Sequence, residues 1–195
     1  MTADDLHYRL ATPADIPHLG PLIEASIRGL QTNDYSSSQI EQAIGTWLGL
    51  DTQLVADRTY FAVEVRHNPD HRPTIGNLAA CGGWSRRKTP YGSDHRPNRD
   101  DSFLDPRTDA AKIRAFFIHP AWARRGIGSR MLEACESAAR QAGFTRFEMG
   151  ATLTGAKLFA AKGYVPLRRI ELSLGDGESL TVIHMEKVSG EPAVS

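Results

Sequence analysis

Residues 122–129 carry the residue types that would bind a phosphate group. They read Trp122-Ala-Arg-Arg-Gly-Ile-Gly-Ser129, follow the apolar run 113–118 and open a helical pattern. Two glycines spaced Gly-x-Gly let backbone N–H groups approach an anion closely, and a helix N-terminus adds positive potential. This segment, called the cradle below, therefore predicts an anion site.

A Gly-x-Gly turn also occurs for purely conformational reasons, so an ordinary strand-to-helix turn is the alternative. Two known phosphate motifs do not match the cradle. The P-loop requires a Lys-Ser/Thr pair, which is missing. The dinucleotide fingerprint requires a third glycine where Met131 stands.

Length and composition are typical of one globular domain. The chain has 195 residues, 41% of them hydrophobic, and a formal net charge of zero. Balanced charge disfavours nucleic acid and anionic membranes as partners. The sequence contains neither a run of membrane-span length nor a signal peptide, so we expect a cytoplasmic protein. The spacing of Cys81 and Cys135 predicts two reduced core cysteines and no metal site.

The residues on either side of the cradle predict strands and helices that could position it. Before the cradle we expect a strand at 8–11, helices at 15–28 and 38–48, and a hairpin of strands 59–65 and 75–85 around the loop 67–73. After it we expect a helix at 127–141, a strand at 144–151, a short helix at 155–162 and strands at 164–174 and 180–188. The pattern predicts one domain over residues 1–188 and a disordered tail at 189–195.

A polar segment at about 86–110, called the insertion below, precedes the strand that leads into the cradle. It mixes charged residues, Pro and Gly with few large apolar residues. A loop of this length is uncommon in a compact domain and is either functional or disordered. Two interpretations stay open: a mobile surface insertion, or a lid or wall of a substrate site.

Residues 112–167 resemble the GNAT superfamily of acyl-CoA-dependent N-acyltransferases. The resemblance rests on a strand, His119-Pro120, the Arg-Arg-Gly-Ile-Gly turn, a long helix, a further strand and Leu158-Phe-Ala-Ala-Lys-Gly-Tyr164. It implies an α/β fold with a mixed, mostly antiparallel sheet that is flanked by helices and splayed between strands 4 and 5. Acetyl-CoA, the cosubstrate, would lie in the slot made by that splay.

The resemblance also implies the donor contacts. Cradle N–H groups would bind the pyrophosphate at Arg124, Arg125, Gly126, Ile127, Gly128 and Ser129. The preceding strand would pair with the pantetheine arm through Phe116, Phe117 and Ile118. Two positions depart from the family pattern. Ala123 stands where Gln or Arg is common, and Phe159 stands where a tyrosine often protonates the leaving thiolate.

The base that deprotonates the acceptor amine is less evident from the sequence. Glu148, in a predicted strand facing the slot, is the candidate, and Asp105 and Asp109 of the insertion are alternatives. Structural roles are expected for His119, His184, Tyr164, Trp84 and Tyr35. The last two could instead line an acceptor pocket.

The resemblance therefore implies an N-acetyltransferase that moves an acetyl group from acetyl-CoA to an amine by direct attack in a ternary complex. Backbone N–H groups near Phe117 or Ile118 would polarise the thioester carbonyl. The acceptor would be a small-molecule or peptide amine, and a homodimer is possible because the family often forms one. Since Phe159 replaces the usual acid, a non-catalytic acyl-CoA-binding sensor or interaction module is the alternative. A different nucleotide-phosphate binder is a third.

Overall fold

One sheet contains all the strands of the described chain. The computed structural model describes residues 6–65 and 78–189. The strands are β1 (Leu6–Leu10), β2 (Tyr60–Val65), β3 (Leu78–Ser85), β4 (Ala111–Ile118), β5 (Arg146–Thr152), β6 (Val165–Ser173) and β7 (Ser179–Val188). Their order is β1-β2-β3-β4-β5-β7-β6, and neighbours are antiparallel except β4 and β5. This mixed sheet confirms the predicted fold class.

The parallel contact between β4 and β5 is short. Among the described residues it comprises the pairs Ala111↔Phe147 and Lys112↔Glu148, near the start of both strands. Beyond them β5 stays paired with β7, and β4 stays with β3. The two strands therefore separate after Lys112 and Glu148, and the sheet opens into the predicted slot.

A bulge in β4 shapes one wall of this slot. The β3–β4 register shifts between Cys81 and Gly83, and Ala115 adopts a left-handed backbone with φ of +54°. The buried Tyr60 hydroxyl donates to the Ala115 carbonyl at 3.0 Å. A left-handed conformation costs a residue with a Cβ about 1–2 kcal/mol. The surrounding contacts therefore hold a strained backbone at the edge of the slot.

Helices cover both faces of the sheet. They are α1 (Ile16–Leu30), α2 (Ser37–Ala43), α3 (Thr52–Ala56), α4 (Ile127–Gln141) and α5 (Leu153–Ala161). One core cluster joins α1 to β2, β3 and β7, and a second joins α4 and α5 to β5. Phe147 and Met149 belong to the second cluster. Because strand side chains alternate, Glu148 points to the opposite face, on which α1 lies.

The predicted helix 38–48 is wrong in its extent. α2 ends at Ala43, and Gly45 follows with φ of +84°. The Ala43 carbonyl accepts from the Leu48 N–H, which closes a turn instead of continuing the helix. Sequence analysis also did not predict α3, a five-residue helix capped by the Asp51 carboxylate.

The hairpin of β2 and β3 is present, and its predicted loop 67–73 lies outside the described residues. The predicted tail 189–195 also lies outside them apart from Ser189, whose N–H donates to the Thr145 carbonyl at 2.7 Å. Cys81 and Cys135 are fully buried, and burial raises the pKa of both thiols. Each helix in the described ranges is too short or too polar to cross a membrane.

Candidate active site

The cradle lies at the end of β4. A 3-10 turn, Pro120–Trp122, is followed by Arg124 with φ of +63° and Gly126 with φ of +78°, and α4 begins at Ile127. The Arg130 N–H donates to the Gly126 carbonyl. Since the first N–H groups of a helix lack intrahelical acceptors, they can bind an anion at this end of α4.

Gly126 and Gly128 of the cradle are favoured as glycine for different reasons, backbone conformation at the first and close packing at the second. A Cβ on Gly126 would meet no described atom within 4 Å, so only the left-handed φ favours glycine there. A Cβ on Gly128 would lie 2.9 Å from Leu158 Cδ2 and 3.1 Å from Ile118 Cδ1. Gly128 therefore lets α4 pack closely against α5 and β4, whereas Gly126 leaves open space above the backbone.

Positive charge surrounds the cradle. Arg124 and Arg125 are exposed, and the Arg125 guanidinium lies 4.9 Å from the centre of the Trp122 ring. The Arg130 guanidinium lies 4.6 Å from the centre of the Tyr8 ring. These arginines and the positive end of the α4 dipole together favour an anion.

The strand predicted to hold pantetheine already uses part of its backbone. Phe117 pairs with Cys81 of β3. Ile118 pairs with Ala80 of β3, and its N–H donates to Ser26 Oγ of α1 at 3.0 Å. One of the N–H groups predicted for the donor therefore has an internal partner, a hydroxyl that can exchange with a ligand.

Four polar side chains converge at the vertex of the slot, where β4 and β5 separate. The Lys112 ammonium donates to Glu148 Oε1 in a short ion pair. Nε2 of His184 lies 3.6 Å from Glu148 Oε2 and 3.8 Å from Glu186 Oε1. The exposed fraction of these side chains runs from 10% for Lys112 to 29% for Glu186. We call this group the vertex cluster.

The sheet register explains why these side chains meet. Glu148 pairs with Lys112 across the parallel contact and with Glu186 across the β5–β7 contact. His184, two residues before Glu186, pairs with Gly150. Residues that are paired across a sheet, or separated by two along a strand, share one face. The vertex cluster therefore lies on the α1 face, opposite α4 and α5.

The vertex cluster combines groups that exchange protons. Glu148, His184 and Glu186 could also each offer a metal ligand atom, and these atoms lie within 4.8 Å of one another. The Lys112 ammonium disfavours a metal ion there, because it is already ion-paired with Glu148 and would repel a second cation. Proton transfer is the chemistry that this mixture of carboxylates and imidazole supports best.

The insertion places an aromatic wall over the vertex. A Cβ on Gly150 would lie 2.6 Å from Tyr91 Cδ1, so the Tyr91 ring covers β5 at the position paired with His184. The ring centres of Trp47 and Tyr91 are 6.2 Å apart. The Arg96 guanidinium lies 4.7 Å from the centre of the Tyr91 ring. Of the two interpretations of the insertion, the structure supports a wall beside the slot.

Buried ion pairs attach the insertion to the rest of the domain. Asp51, fully buried before α3, lies 2.6 Å from Arg114 of β4 and 3.2 Å from Arg99 of the insertion. Arg87 donates to both oxygens of Asp57 at 2.6 and 2.7 Å, and these hydrogen bonds lower the pKa of Asp57. The contacts hold the insertion in one position relative to β4.

The alternative bases of the insertion form a local turn. Asp105 pairs with exposed Arg107 at 2.8 Å, and this partner lowers the pKa of Asp105 to about 2. Asp109 accepts from the Asp105 N–H at 2.8 Å. Both carboxylates are thus engaged within the turn itself.

Two aromatic residues that could have lined an acceptor pocket are anchors. The Tyr35 hydroxyl donates to the Thr181 carbonyl at 2.7 Å and accepts from the Leu153 N–H at 2.8 Å. Trp84 packs edge-to-face on Phe144 with ring centres 6.0 Å apart. Both are buried, so neither presents a surface to a substrate.

Phe159 lies in the core on the α5 side of the sheet. Its ring packs edge-to-face on Phe116 of β4 at 5.8 Å and on Tyr164 at 6.0 Å. Tyr164 is buried, and burial raises its pKa. His119 accepts from the Ala121 N–H at Nδ1, which caps the 3-10 turn. The expected structural roles of Tyr164 and His119 agree with these contacts.

Sequence analysis missed three residues of the site and gave a fourth a structural role. The missed residues are Lys112, Tyr91 and Glu186, and His184 was assigned to structure. Lys112 carried a signal, because it is a charged residue inside the largely apolar strand 111–118. The others carried none, since their positions depend on strand register and on the path of the insertion.

Comparison with known families identifies the class of the protein. A sequence profile of the acetyltransferase (GNAT) family matches residues 40–162, more than half of the chain. The chain therefore belongs to the GNAT acetyltransferase family. The matched range contains the slot, the cradle and α5, whereas β7 with His184 and Glu186 lies beyond it. A search of curated protein sequences found no match.

Solved structures share the fold. A GCN5-related N-acetyltransferase from Rhodopseudomonas palustris has a TM-score of 0.63 at 21% identity, over 96% of this chain and 98% of that one. The PaiA N-acetyltransferase from Thermoplasma acidophilum, in complex with coenzyme A, has 0.59 at 12%, over 96% and 99%. YncA from Salmonella typhimurium, with acetyl-CoA, has 0.55 at 16%, over 97% and 96%. At these identities the likeness concerns the fold.

Proposed function

We propose that this protein transfers an acetyl group from acetyl-CoA to an amine by direct attack within a ternary complex. The observation that carries the proposal is the slot, which has an anion-binding helix end at one mouth and a proton-exchanging cluster at its vertex. Membership of an acetyltransferase family supports the reaction class. The coenzyme A and acetyl-CoA in two structures of the same fold support the donor.

The donor would lie along β4 with its pyrophosphate at the cradle. Backbone N–H groups of residues 124–129 would hold the phosphates, and the open space at Gly126 fits this contact. The pantetheine arm would run toward the vertex beside residues 116–118 as an added strand. The Ile118 N–H would exchange its Ser26 partner for the arm or share it.

The acceptor must lose a proton before it attacks. An alkylammonium has a pKa near 10.4, so its neutral form at pH 7 costs on the order of 4 to 5 kcal/mol. The group of side chains around Glu148 would accept that proton, while backbone N–H groups near Phe117 or Ile118 polarise the carbonyl. A thiol has a pKa near 8.5, so at pH 7 the leaving thiolate lies only about 2 kcal/mol above its protonated form. Water or the proton released by the amine can therefore protonate the thiolate in place of the tyrosine hydroxyl that is absent at Phe159.

The acceptor would enter on the α1 face, between the vertex cluster and the wall of Tyr91 and Trp47. We propose a small-molecule or peptide amine as its class. We propose a cytoplasmic location, which the two buried free thiols support.

A thiol-release assay over a panel of amines tests this proposal, with acetyl-CoA affinity measured in parallel by calorimetry. We expect at least one amine to release thiol, and the Gly126→Asp variant to lose both binding and release. Tight binding without release would favour the non-catalytic acyl-CoA-binding module. Thermal stabilisation by NAD or ATP instead of acetyl-CoA would show that the donor assignment is wrong.

A further inference from the structure

We propose that His184 is the group that takes the proton from the acceptor ammonium, with Glu148 and Glu186 as positioning residues that hold its imidazole between two carboxylates. The proposal rests on the proposed acetyl transfer. It assigns the base within the vertex cluster to a residue of β7, the last strand, rather than to the carboxylate of β5.

The partners of Glu148 make it the less free of the two groups. Its Oε1 is bound by the Lys112 ammonium, so this oxygen already has a partner within the cluster. Its Oε2 faces His184 at 3.6 Å. Of the polar atoms within the vertex cluster, His184 Nε2 is the one approached by carboxylates from two sides.

Two carboxylates lie beside the His184 ring. Nε2 lies 3.6 Å from Glu148 and 3.8 Å from Glu186, which is longer than a hydrogen bond but close enough for strong attraction of an imidazolium. No short hydrogen bond therefore ties Nε2 to either carboxylate. An apo site of this kind can tighten when substrate binds.

Charged groups face His184 from each element beside it. β4 supplies Lys112, β5 supplies Glu148, β7 itself supplies Glu186, and β6 places Arg168 in the paired position. Lys112 and Arg168 oppose an imidazolium, but Lys112 is bound to Glu148 and Arg168 is exposed to solvent, which screens its charge. Tyr91 covers the neighbouring Gly150 and restricts water.

The proton and electron pairs balance in this step. The acceptor R–NH3+ gives one proton to neutral His184 Nε2, and the amine lone pair forms the new N–C bond to the thioester carbonyl. The C–S bond breaks with its electron pair on sulfur, and the second N–H proton reaches the thiolate to give CoA-SH. The imidazolium then releases its proton to solvent, so the products are the acetylated amine, CoA-SH and one proton.

Kinetics on the full chain separate this role from a structural one. We expect His184→Asn and His184→Gln to lower kcat at least 100-fold and to leave the acetyl-CoA Kd within about twofold. The acidic limb of the pH profile of kcat/KM should disappear in both variants. The exposed His18→Asn on α1 is the matched control and should keep the wild-type profile.

Two carboxylate variants separate His184 from Glu148 as the base. Glu148→Gln and Glu186→Gln should each lower kcat less than His184→Asn does, because each removes a carboxylate beside the imidazole and leaves the imidazole in place. A loss in Glu148→Gln as large as that in His184→Asn would overturn the proposal. So would a kcat of His184→Asn within threefold of wild type, or an activity that a chelator abolishes and zinc restores.

The two proposals fail in different ways. If the wild-type chain binds acetyl-CoA but no amine of the panel causes it to release thiol, the proposed acetyl transfer fails. The role of His184 as its base then fails with it. If release survives in the His184 variants, acetyl transfer stands and only the assignment of His184 is overturned.

Discussion

The two ends of the slot are built in opposite ways. The cradle uses backbone groups from consecutive residues, 124–129, at the start of one helix. The vertex uses side chains from β4, β5 and β7, covered by Tyr91 of the insertion. A backbone site tolerates most side-chain changes but not added bulk or the wrong charge, whereas a side-chain site can be altered one group at a time. Donor binding should therefore be robust, and acceptor chemistry adjustable.

The most damaging change to the donor end should be Gly126→Asp. The carboxylate would stand where we propose that the pyrophosphate binds, and we expect acetyl-CoA affinity to fall about 1,000-fold, or about 4 kcal/mol, by calorimetry. Gly177→Asp is the matched control, because Gly177 also has a left-handed φ, +76° against +78°, and no described atom within 4 Å of a Cβ. Equal acetyl-CoA affinities in wild type and Gly126→Asp would show that the donor does not bind at the cradle.

At the acceptor end, Asp51→Asn should have the largest effect on stability. It leaves Arg114 and Arg99 without their buried counter-ion, which costs about 3 kcal/mol of unfolding free energy, or a fall in Tm of about 10 °C. Asp105→Asn breaks only the exposed pair with Arg107 and is the control. A Tm of Asp51→Asn within 2 °C of wild type would show that this network does not hold the insertion.

Acid should loosen the insertion before it affects the cradle. Arg87 lowers the folded-state pKa of Asp57, so this pair stabilises the fold above the unfolded value near 3.9, and the stabilisation is lost as pH falls through the lower folded value. The protection of insertion amides against hydrogen exchange, relative to the intrinsic rate at each pH, should fall below about pH 4. In Asp57→Asn the exchange should already be raised at pH 7 and depend less on acid. Faster exchange in the cradle than in the insertion would contradict the comparison.

The smallest effect should follow from Arg124→Ala. The exposed guanidinium adds charge to a site built by the backbone, so we expect a three- to fivefold loss of acetyl-CoA affinity, about 1 kcal/mol, that shrinks at high salt. A loss as large as that of Gly126→Asp would mean that side chains, not N–H groups, hold the pyrophosphate.

The cradle could be predicted from the sequence because its residues are consecutive, whereas the vertex cluster could not because its residues come from three strands. The position of the cradle followed from a local motif whose residues are neighbours in the chain, and the family resemblance implied the splay between strands 4 and 5. The vertex cluster joins Lys112 to Glu186 through two strand registers, and a shift of one residue in either would turn its members to the opposite face. Glu148 could be chosen because its strand borders the slot, but the pairing of His184 with Gly150 is not visible in the sequence.

Local structure was mispredicted where glycine and aspartate act through the backbone. Apolar spacing suggested a helix to residue 48, but Gly45 takes a left-handed φ and ends it. The Asp51 cap then starts α3, a helix too short to show a period. Asp51 also forms ion pairs with two arginines. One carboxylate therefore caps the start of α3 and attaches the insertion to β4.

The two residue pairs between β4 and β5 also have a mechanical consequence. Backbone ladders resist shear, but after Lys112 the halves of the sheet are joined mainly by side-chain packing, such as the cluster that links α1 to β7. A ligand bound along β4 would contact both halves of the sheet and hold them together across the slot. Pulled from its ends, the chain should come apart along the slot at low force when empty, and at higher force when acetyl-CoA bridges it.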